Sequence, residues 1–304
     1  MVESMTVLLA IVLILLMPSN AHAWGAGIHI QLGNAMLANA QFLSPQLAGL
    51  LSTYPFDFYY GCMAADIVVG KKFTHYLLHC HRWQIGFKVL EGARTDAQRA
   101  CAYGYLSHLA ADSIAHNYYV PIKIMRGFNT MTLKHAYWEM RFERFVDREM
   151  WEIARKVCQE HYQENDELLR SVLANTLFSF GTNKRIFNSI VLLSRLEKWQ
   201  GVLRTLSDTS RFVLEEDDRS EYMILAEEAI IDLLNHGEDA QICRADPTGE
   251  RALALAEAVR RNMRLLYTSG KISKESALQR VNELREPLRQ AIWEPTSLAN
   301  LHNI

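Results

Sequence analysis

Histidine and carboxylate residues recur at four-residue steps in two stretches of this chain. His108, Asp112 and His116 form one series, and His135 and Glu139 form a second. A four-residue step on an α-helix returns almost to the same face, so each series would lie along one side of its helix. A carboxylate between two imidazoles on an apolar helix is costly to bury without a partner. A divalent metal ion would be such a partner, because it prefers imidazole nitrogen and carboxylate oxygen as ligands. A hydrogen-bond network among the same side chains is the alternative.

Further candidate ligands precede these two series. Seven of the 11 histidines fall between residues 29 and 135. Asp66 lies in a small, apolar setting, and His75, His79 and His81 follow it. Asp66 on its own would be interpreted as a helix cap or a turn residue. Of the three histidines, we expect one to bind a metal ion and the others to have supporting or structural roles.

The first 23 residues have the features of a cleavable signal peptide. The apolar run Leu8–Met17 is too short to span a membrane, which needs about 20 residues. Ala21-His22-Ala23 provides the small residues that signal peptidase recognises, although the start of the chain holds Glu3 and no Lys or Arg. The sequence therefore predicts export to a secreted or periplasmic location, with no transmembrane span in the mature chain.

Cleavage after Ala23 would free the α-amine of Trp24. An α-amine has a reference pKa of about 8. Once deprotonated, it could chelate a metal ion together with the Trp24 carbonyl, as a five-membered ring. His29 follows five residues later and could supply a further ligand.

The elements that must position these residues are helices. The chain has 15 Gly and 7 Pro among 304 residues, 49% hydrophobic and 22% charged, an ordinary globular composition with few residues that favour turns. Helical periodicity is nearly continuous, alternating strand patterns are nearly absent, and no Pro/Gly/Ser-rich linker divides the chain. We therefore expect one all-α domain over residues 24–304, with the metal ligands within 24–139 and a helical extension from about residue 160.

Four helices are predicted with specific ends. One runs from Arg99 to Tyr119 and closes before Pro121, and a second runs from Leu133 to about Gln163. A third covers Ser220 to His236 and is ended by Gly237. In the fourth, Asp246 is expected to be the N-cap and Pro247 the first helical residue, and the helix extends to Gly270.

Cysteine spacing and net charge argue against two classes of site. The 5 cysteines are odd in number and widely spaced, so we expect buried free thiols with at most one or two bridges and no thiolate metal ligands. The formal charge of -2 argues against a dedicated polyanion binder, because non-specific nucleic-acid affinity comes from an excess of Lys and Arg.

Taken in order, the candidate ligands resemble those of the zinc-dependent phospholipase C family. The shared series is an N-terminal Trp, a nearby His, an Asp, a His, a His-xxx-Asp pair, a His and a His-xxx-Glu pair, and it covers Trp24 to Glu139. The fungal single-strand-specific zinc nucleases are a related branch, and the Trp-Gly-x-x-x-His start resembles them, whereas Glu139 resembles the phospholipases. The resemblance implies a mostly helical, secreted enzyme that holds three zinc ions.

The resemblance also implies how the ligands are shared. The first zinc would be bound by the Trp24 amine and carbonyl and by His29. The second would be bound by Asp66, His108 and one of His79 and His81, and Asp112 would bridge the first and second ions. The third would be bound by His116, His135 and Glu139. Spacing from Asp66 favours His79, with His81 next. The third site departs from the family, because the gap from Asp112 to His116 is shorter and a Pro-Met pair is missing.

The implied activity is phosphoester hydrolysis, because zinc polarises phosphoryl oxygens and activates water near neutral pH. The resemblance makes Asp66 the general base; alternatively, Asp66 is only a ligand and zinc-bound hydroxide attacks directly. A glycerophospholipid at a membrane surface is favoured over nucleic acid because the chain lacks a basic surplus, and we expect a monomer. The alternatives are a zinc-dependent single-strand nuclease and a non-catalytic metal-binding relative.

An aromatic cluster lies just before Asp66 and bears on the substrate. It consists of Tyr54, Phe56, Phe58, Tyr59 and Tyr60. The cluster could contact an acyl-glycerol, stack on a nucleic-acid base, or pack in the core beneath the metal site. The sequence leaves these three possibilities open.

Overall fold

The computed structural model describes residues 25–68, 79–129, 138, 141–173, 178–194 and 216–298. Within these ranges the regular structure is entirely helical and forms one domain, which confirms the predicted all-α class. The helices are α1 (Ala26–Ala38), α2 (Pro45–Thr53), α3 (Pro55–Ala64), α4 (Trp83–Gly92), α5 (Asp96–Ile114), α6 (Val120–Arg126), α7 (Arg148–Gln159), α8 (Gln163–Val172), α9 (Phe180–Ser194), α10 (Glu216–His236), α11 (Glu250–Thr268), α12 (Lys274–Glu283) and α13 (Arg285–Trp293).

Helix α5 is the central element of the domain. It begins with a capping box, in which the Thr95 hydroxyl accepts from the Gln98 N–H and the Gln98 side chain accepts from the Thr95 N–H. These two bonds satisfy donors that the first helical turn leaves unpaired. Nearly every residue from Ala100 to Ile114 is buried, so both chemically active and apolar side chains of α5 face the interior.

Helices α3 and α5 cross at a pair of glycines. A Cβ on Gly61 would lie 1.9 Å from the Cys101 carbonyl oxygen, and a Cβ on Gly104 would lie 2.1 Å from the Phe58 carbonyl oxygen. Real Cβ atoms do not approach backbone oxygen this closely, so only glycine permits this backbone contact. The crossing therefore holds the end of α3 directly against the middle of α5.

The segment after α5 differs from the predicted helix end. Ala115–Tyr119 forms a π-helical turn that continues directly into α6. Pro121 lies in the first turn of α6, where its missing N–H is tolerated, so the prediction of a helix end before Pro121 was wrong. Hydrogen bonds in a π turn span five residues rather than four. The four-residue rule that relates His108 to Asp112 therefore does not extend to His116.

The predicted single helix from residue 133 to 163 is interrupted. Turn hydrogen bonds across residues 142–146 close one helical segment, and α7 begins at Arg148. The reversal packs α7 against α1 at Gly27, where a Cβ would lie 2.7 Å from the Trp151 ring. This contact fixes the start of α1, which carries one of the predicted metal ligands.

The C-terminal helices belong to the same core. Helix α10 ends at His236 and is followed by Gly237 with a φ of +58°, as predicted. Helix α11 begins at Glu250 rather than at Pro247, because Gly249 is its N-cap and has a φ of +59°. Helix α10 packs on α5 and α11 packs on α6, so described helices of the region after residue 160 contact α5 and its continuation directly.

None of the helices in the described ranges combines the length and apolar character that crossing a membrane requires. The predicted leader, residues 1–23, lies outside the described residues, and it stays a prediction. All five cysteines are free thiols, and those in the helical core are Cys62, Cys80 and Cys101. This agrees with the expectation of buried free thiols.

Candidate metal centre

Five of the predicted ligands meet in the interior between α1, α3, α4 and α5. His29 lies on α1, Asp66 in the turn after α3, His81 in the turn before α4, and His108 and Asp112 lie one turn apart on α5. Each of the five has at most 5% of its surface exposed. We call these five residues the central cluster.

The potential ligand atoms of the central cluster converge. His81 Nε2 lies 3.3 Å from Asp66 Oδ1 and 3.2 Å from Asp112 Oδ2. His108 Nε2 lies 3.1 Å from His81 Nε2 and 3.3 Å from Asp112 Oδ2. His29 Nε2 lies 3.3 Å from Asp112 Oδ1. Three imidazoles and two carboxylates thus surround one small volume.

These distances fit a metal ion better than a hydrogen-bond network. Ligands about 2.0–2.1 Å from a tetrahedral zinc ion lie about 3.3 Å from one another. His29 Nε2 and Asp112 Oδ1 are this far apart, yet within the described part of the chain they make no hydrogen bond, although both atoms are buried. Buried polar atoms are nearly always satisfied, so a cation between these two atoms would complete the arrangement.

Contacts on the sides of the histidine rings that face away from the cluster fix the orientation of these rings. His108 Nδ1 lies 2.9 Å from the Cys62 carbonyl oxygen. A carbonyl can only accept, so Nδ1 carries the hydrogen and Nε2 presents its lone pair to the cluster. His81 Nδ1 lies 3.2 Å from Cys80 Sγ. The His29 and His108 rings are stacked, with centroids 3.8 Å apart.

The electrostatics of the cluster favour the protonation states that bind a metal. Burial acts to raise the pKa of Asp112, but the nearby His108 imidazole, followed by His29 and His81, holds this pKa well below its usual range. Burial, followed by the neighbouring His108, lowers the pKa of His29. Asp112 is therefore ionised and His29 neutral near neutral pH, which are the ligand forms.

Comparison with protein families agrees with this geometry. A sequence model of the zinc-dependent phospholipase C family matches residues 28–178. This chain belongs to that family. Searches of curated proteins and of solved structures gave no significant match. The matched segment contains the whole central cluster, and in a chain of this zinc-dependent phospholipase C family the buried His and Asp groups are compatible with a metal site.

In this member of the phospholipase C family, the structure distinguishes the two candidate histidines after Asp66. His81 is buried and reaches the cluster, whereas His79 is half-buried and its Nδ1 accepts from the His81 backbone N–H at 3.2 Å. Spacing favoured His79, but the chain turns at residues 80–82 and carries His81 back to Asp66. Cys80 Sγ lies near both imidazoles, so a thiol contacts this edge of the site, which was not expected.

The remaining predicted ligands are not part of the central cluster. His116 is buried on the π turn, and its Nδ1 donates to the Pro247 carbonyl at 2.5 Å. Trp24, His135 and Glu139 lie outside the described residues, so their roles stay predictions.

Glu143 is a site-proximal residue that the sequence did not reveal. Its Oε1 accepts from the Ile28 N–H at 3.2 Å, at the start of α1, and a Cβ on Gly25 would lie 2.5 Å from its carboxyl carbon. The residue as a whole is only partly buried, but its carboxyl end is enclosed. Burial raises the pKa of Glu143 to about 7, with the Asp66 charge adding to it and hydrogen bonds from Ile28 and Gly27 opposing it. Glu143 follows Glu139 by four residues, and this spacing is the sequence signal that could have identified it.

The aromatic cluster of residues 54–60 is part of the core. Phe58, Tyr59 and Tyr60 are buried, and the hydroxyls of the two tyrosines donate to Asn34 at 2.9 Å and to Asp166 at 2.5 Å. These rings belong to α3 and pack this helix into the core. They are therefore not a surface for gripping an acyl chain or stacking on a base.

Proposed function

We propose that this protein is a zinc-dependent phosphodiesterase, a phospholipase C that hydrolyses the phosphodiester bond of a glycerophospholipid at a membrane surface. The observation that carries the proposal is the convergence of the central cluster inside the segment matched to the zinc-dependent phospholipase C family. We also propose that the leader predicted in residues 1–23 exports the chain, which acts as a secreted or periplasmic monomer.

Three zinc ions are proposed, two of them at the central cluster. Asp112 supports this, because Oδ1 faces His29 while Oδ2 faces His81 and His108, as expected of a carboxylate shared between two ions. The Trp24 amine and carbonyl would complete the ion on the His29 side, and the predicted His116, His135 and Glu139 would hold the third. Bound zinc would supply Lewis-acid activation of phosphoryl oxygen and of water.

Asp66 is the proposed general base. It is 5% exposed whereas Asp112 is 1% exposed, so it is the carboxylate of the cluster that water reaches more easily. In this role it would accept the proton of the attacking water. The alternative, that Asp66 only binds metal, is separated by Asp66→Asn: loss of turnover with unchanged zinc supports the base, and loss of zinc supports the ligand.

The formal charge of -2 supports a lipid over a nucleic-acid substrate, because a nuclease groove is lined by basic residues. A single-strand nuclease and a non-catalytic metal-binding relative are the competing hypotheses.

The test is zinc content and turnover on the same secreted preparation. Elemental analysis should find close to three zinc ions per chain, N-terminal sequencing should find Trp24, and phosphatidylcholine vesicles should be cleaved faster than single-stranded DNA. His108→Ala should lose zinc and turnover, while His236→Ala, at the exposed end of α10, should retain both. Absence of zinc would overturn the proposal. Preferential cleavage of DNA would favour the nuclease, and bound zinc without turnover would favour the non-catalytic relative.

A further inference from the structure

Three consecutive backbone carbonyls of a loop near the start of α11 accept hydrogen bonds from side chains in the segment that holds the predicted metal ligands. We call residues 245–249 the 245–249 loop, which connects α10 to α11 and lies beyond the family-matched segment. The donors are Trp83 Nε1 to Ala245 (2.7 Å), Asn117 Nδ2 to Asp246 (2.8 Å) and His116 Nδ1 to Pro247 (2.5 Å). One of these donors belongs to a predicted zinc ligand, and the other two lie near ligands in sequence.

The 245–249 loop is fixed by its own hydrogen bonds. The Asp246 carboxylate accepts from Thr248 N at 3.1 Å and from the Thr248 hydroxyl at 2.7 Å. Gly249 N donates to the Asp246 carbonyl at 2.9 Å, which closes the turn. These bonds hold the backbone from Asp246 to Gly249 in one conformation.

Gly249 packs its backbone against His116. Its φ is +59°, and a Cβ at this position would lie 2.5 Å from both His116 Cβ and the His116 carbonyl oxygen. Gly237 and Gly270 also have a positive φ, of +58° and +70°, but a Cβ on either would meet nothing within 4 Å. The three glycines share a backbone conformation, and only Gly249 of the three touches a predicted ligand.

We propose that the 245–249 loop positions the His116 imidazole for metal binding. The Pro247 carbonyl can only accept, so His116 Nδ1 carries the hydrogen and Nε2 is the nitrogen with a lone pair for a metal ion. Gly249 allows the loop to come close enough for this bond. The proposal rests on the proposed function, in which His116 is a ligand of the third zinc, and makes Pro247 and Gly249 positioning residues.

The first test compares Gly249→Ala with Gly237→Ala and Gly270→Ala in the full chain. All three substitutions strain a left-handed backbone, so all three should lower the melting temperature. Only Gly249→Ala should lower the zinc content by one ion per chain, or weaken one ion at least about tenfold in chelator competition. Equal zinc binding by the three variants would overturn the loop's role while leaving the proposed function intact. Wild-type protein without zinc would overturn both.

A milder pair of variants covers the case in which Gly249→Ala fails to fold. Thr248→Val removes the hydroxyl that holds Asp246, and Thr268→Val removes a hydroxyl at the end of α11 that bonds only helix carbonyls. In the cadmium-substituted protein, Thr248→Val should shift one ¹¹³Cd resonance and leave the others, whereas Thr268→Val should shift none. Identical spectra for both variants would contradict the proposal.

Discussion

Two clusters of charged side chains in the described part of this domain pair their charges differently. In the central cluster, carboxylate oxygens face imidazole nitrogens, and within the described residues His29 Nε2 and Asp112 Oδ1 make no hydrogen bond although they lie 3.3 Å apart. The second cluster joins α6, α10 and α13, and we call it the buried ion cluster. It consists of Lys123, Arg126, Asp218, Glu221 and Arg285.

In the buried ion cluster every charge has an opposite partner. Lys123 Nζ lies 2.6 Å from Asp218 Oδ2, and Arg126 Nη1 lies 3.2 Å from the same oxygen. Arg285 Nη1 lies 2.7 Å from Asp218 Oδ1, and the other arm of Arg285 pairs with Glu221. Lys123 is 1% exposed, and burial lowers its pKa although Asp218 acts to raise it.

The difference shows how a charge cluster with a structural role can be distinguished from a candidate metal site. The buried ion cluster pairs its charges without any added group, and these pairs join α6, α10 and α13. In the central cluster, the ring nitrogens of His29 and Asp112 Oδ1 are buried without a hydrogen bond to any described residue. A cation would satisfy them. Four predictions test this comparison, beginning with the largest effect.

Asp112→Asn should abolish zinc binding at the central cluster. The amide keeps the size of the side chain but replaces one ligand oxygen with a donor. Turnover should fall at least about a thousandfold, because zinc supplies several kcal/mol of charge stabilisation in the transition state. Elemental analysis and vesicle hydrolysis check this, with Asp96→Asn at the exposed start of α5 as the control. Full zinc content in Asp112→Asn would show that the cluster is only a hydrogen-bond network.

Asp218→Ala should lower the free energy of unfolding without removing zinc. It leaves Lys123 buried without its carboxylate partner, and breaking a buried pair costs about 3–5 kcal/mol. Asp96→Ala breaks the exposed pair with Arg99 and should cost about 0–1 kcal/mol. Denaturant unfolding measures both. A change in zinc per folded chain would mean that the two clusters are coupled.

Glu143→Gln should change how stability depends on pH. The folded-state pKa of Glu143 is raised to about 7 from 4.5, so between these values the folded protein binds more protons than the unfolded chain. Wild-type stability is therefore lost as pH rises through this window, and the variant lacks this loss. Relative to wild type, the variant should gain up to about 3 kcal/mol from pH 4.5 to 7. A pH-independent difference in denaturant unfolding would refute the raised pKa; Glu250→Gln on the surface is the control.

Cys80→Ala should have the smallest effect. It removes the sulfur that lies 3.2 Å from His81 Nδ1 and would leave the imidazole less firmly oriented. Loss of a group that orients a metal ligand weakens metal binding about tenfold or somewhat more. Chelator competition measures this affinity, and Cys158→Ala is the control. Equal affinities for the two variants would assign Cys80 to packing alone.

The sequence predicted the parts of this molecule that depend on one helix at a time. The all-α class followed from periodicity, and His108 and Asp112 share a face because both lie within the regular part of α5. Asp66 and His29 were selected by residue type and order, and the structure brings both to the same cluster. In each case local geometry or chain order was sufficient.

The errors occurred where the backbone leaves regular geometry. The turn at residues 80–82 placed His81 in the cluster instead of His79. The π turn broke the four-residue rule after Asp112 and let the helix continue through Pro121. Because Gly249 has a positive φ, α11 begins at Glu250 instead of at Pro247. Tertiary contacts fix each of these features, and spacing rules for an ideal helix contain no information about them.

The glycine crossing of α3 and α5 affects the order in which this protein can assemble. Gly61 lies about a turn before Asp66, and Gly104 lies one turn before His108. Docking of the two helices therefore desolvates Asp66 together with His108 and Asp112. A metal ion present at that moment would offset this cost, so its capture and the docking of α3 on α5 become a single cooperative event. Refolding should consequently be faster, and reach a higher yield, when zinc is supplied at the start rather than after the chain has collapsed.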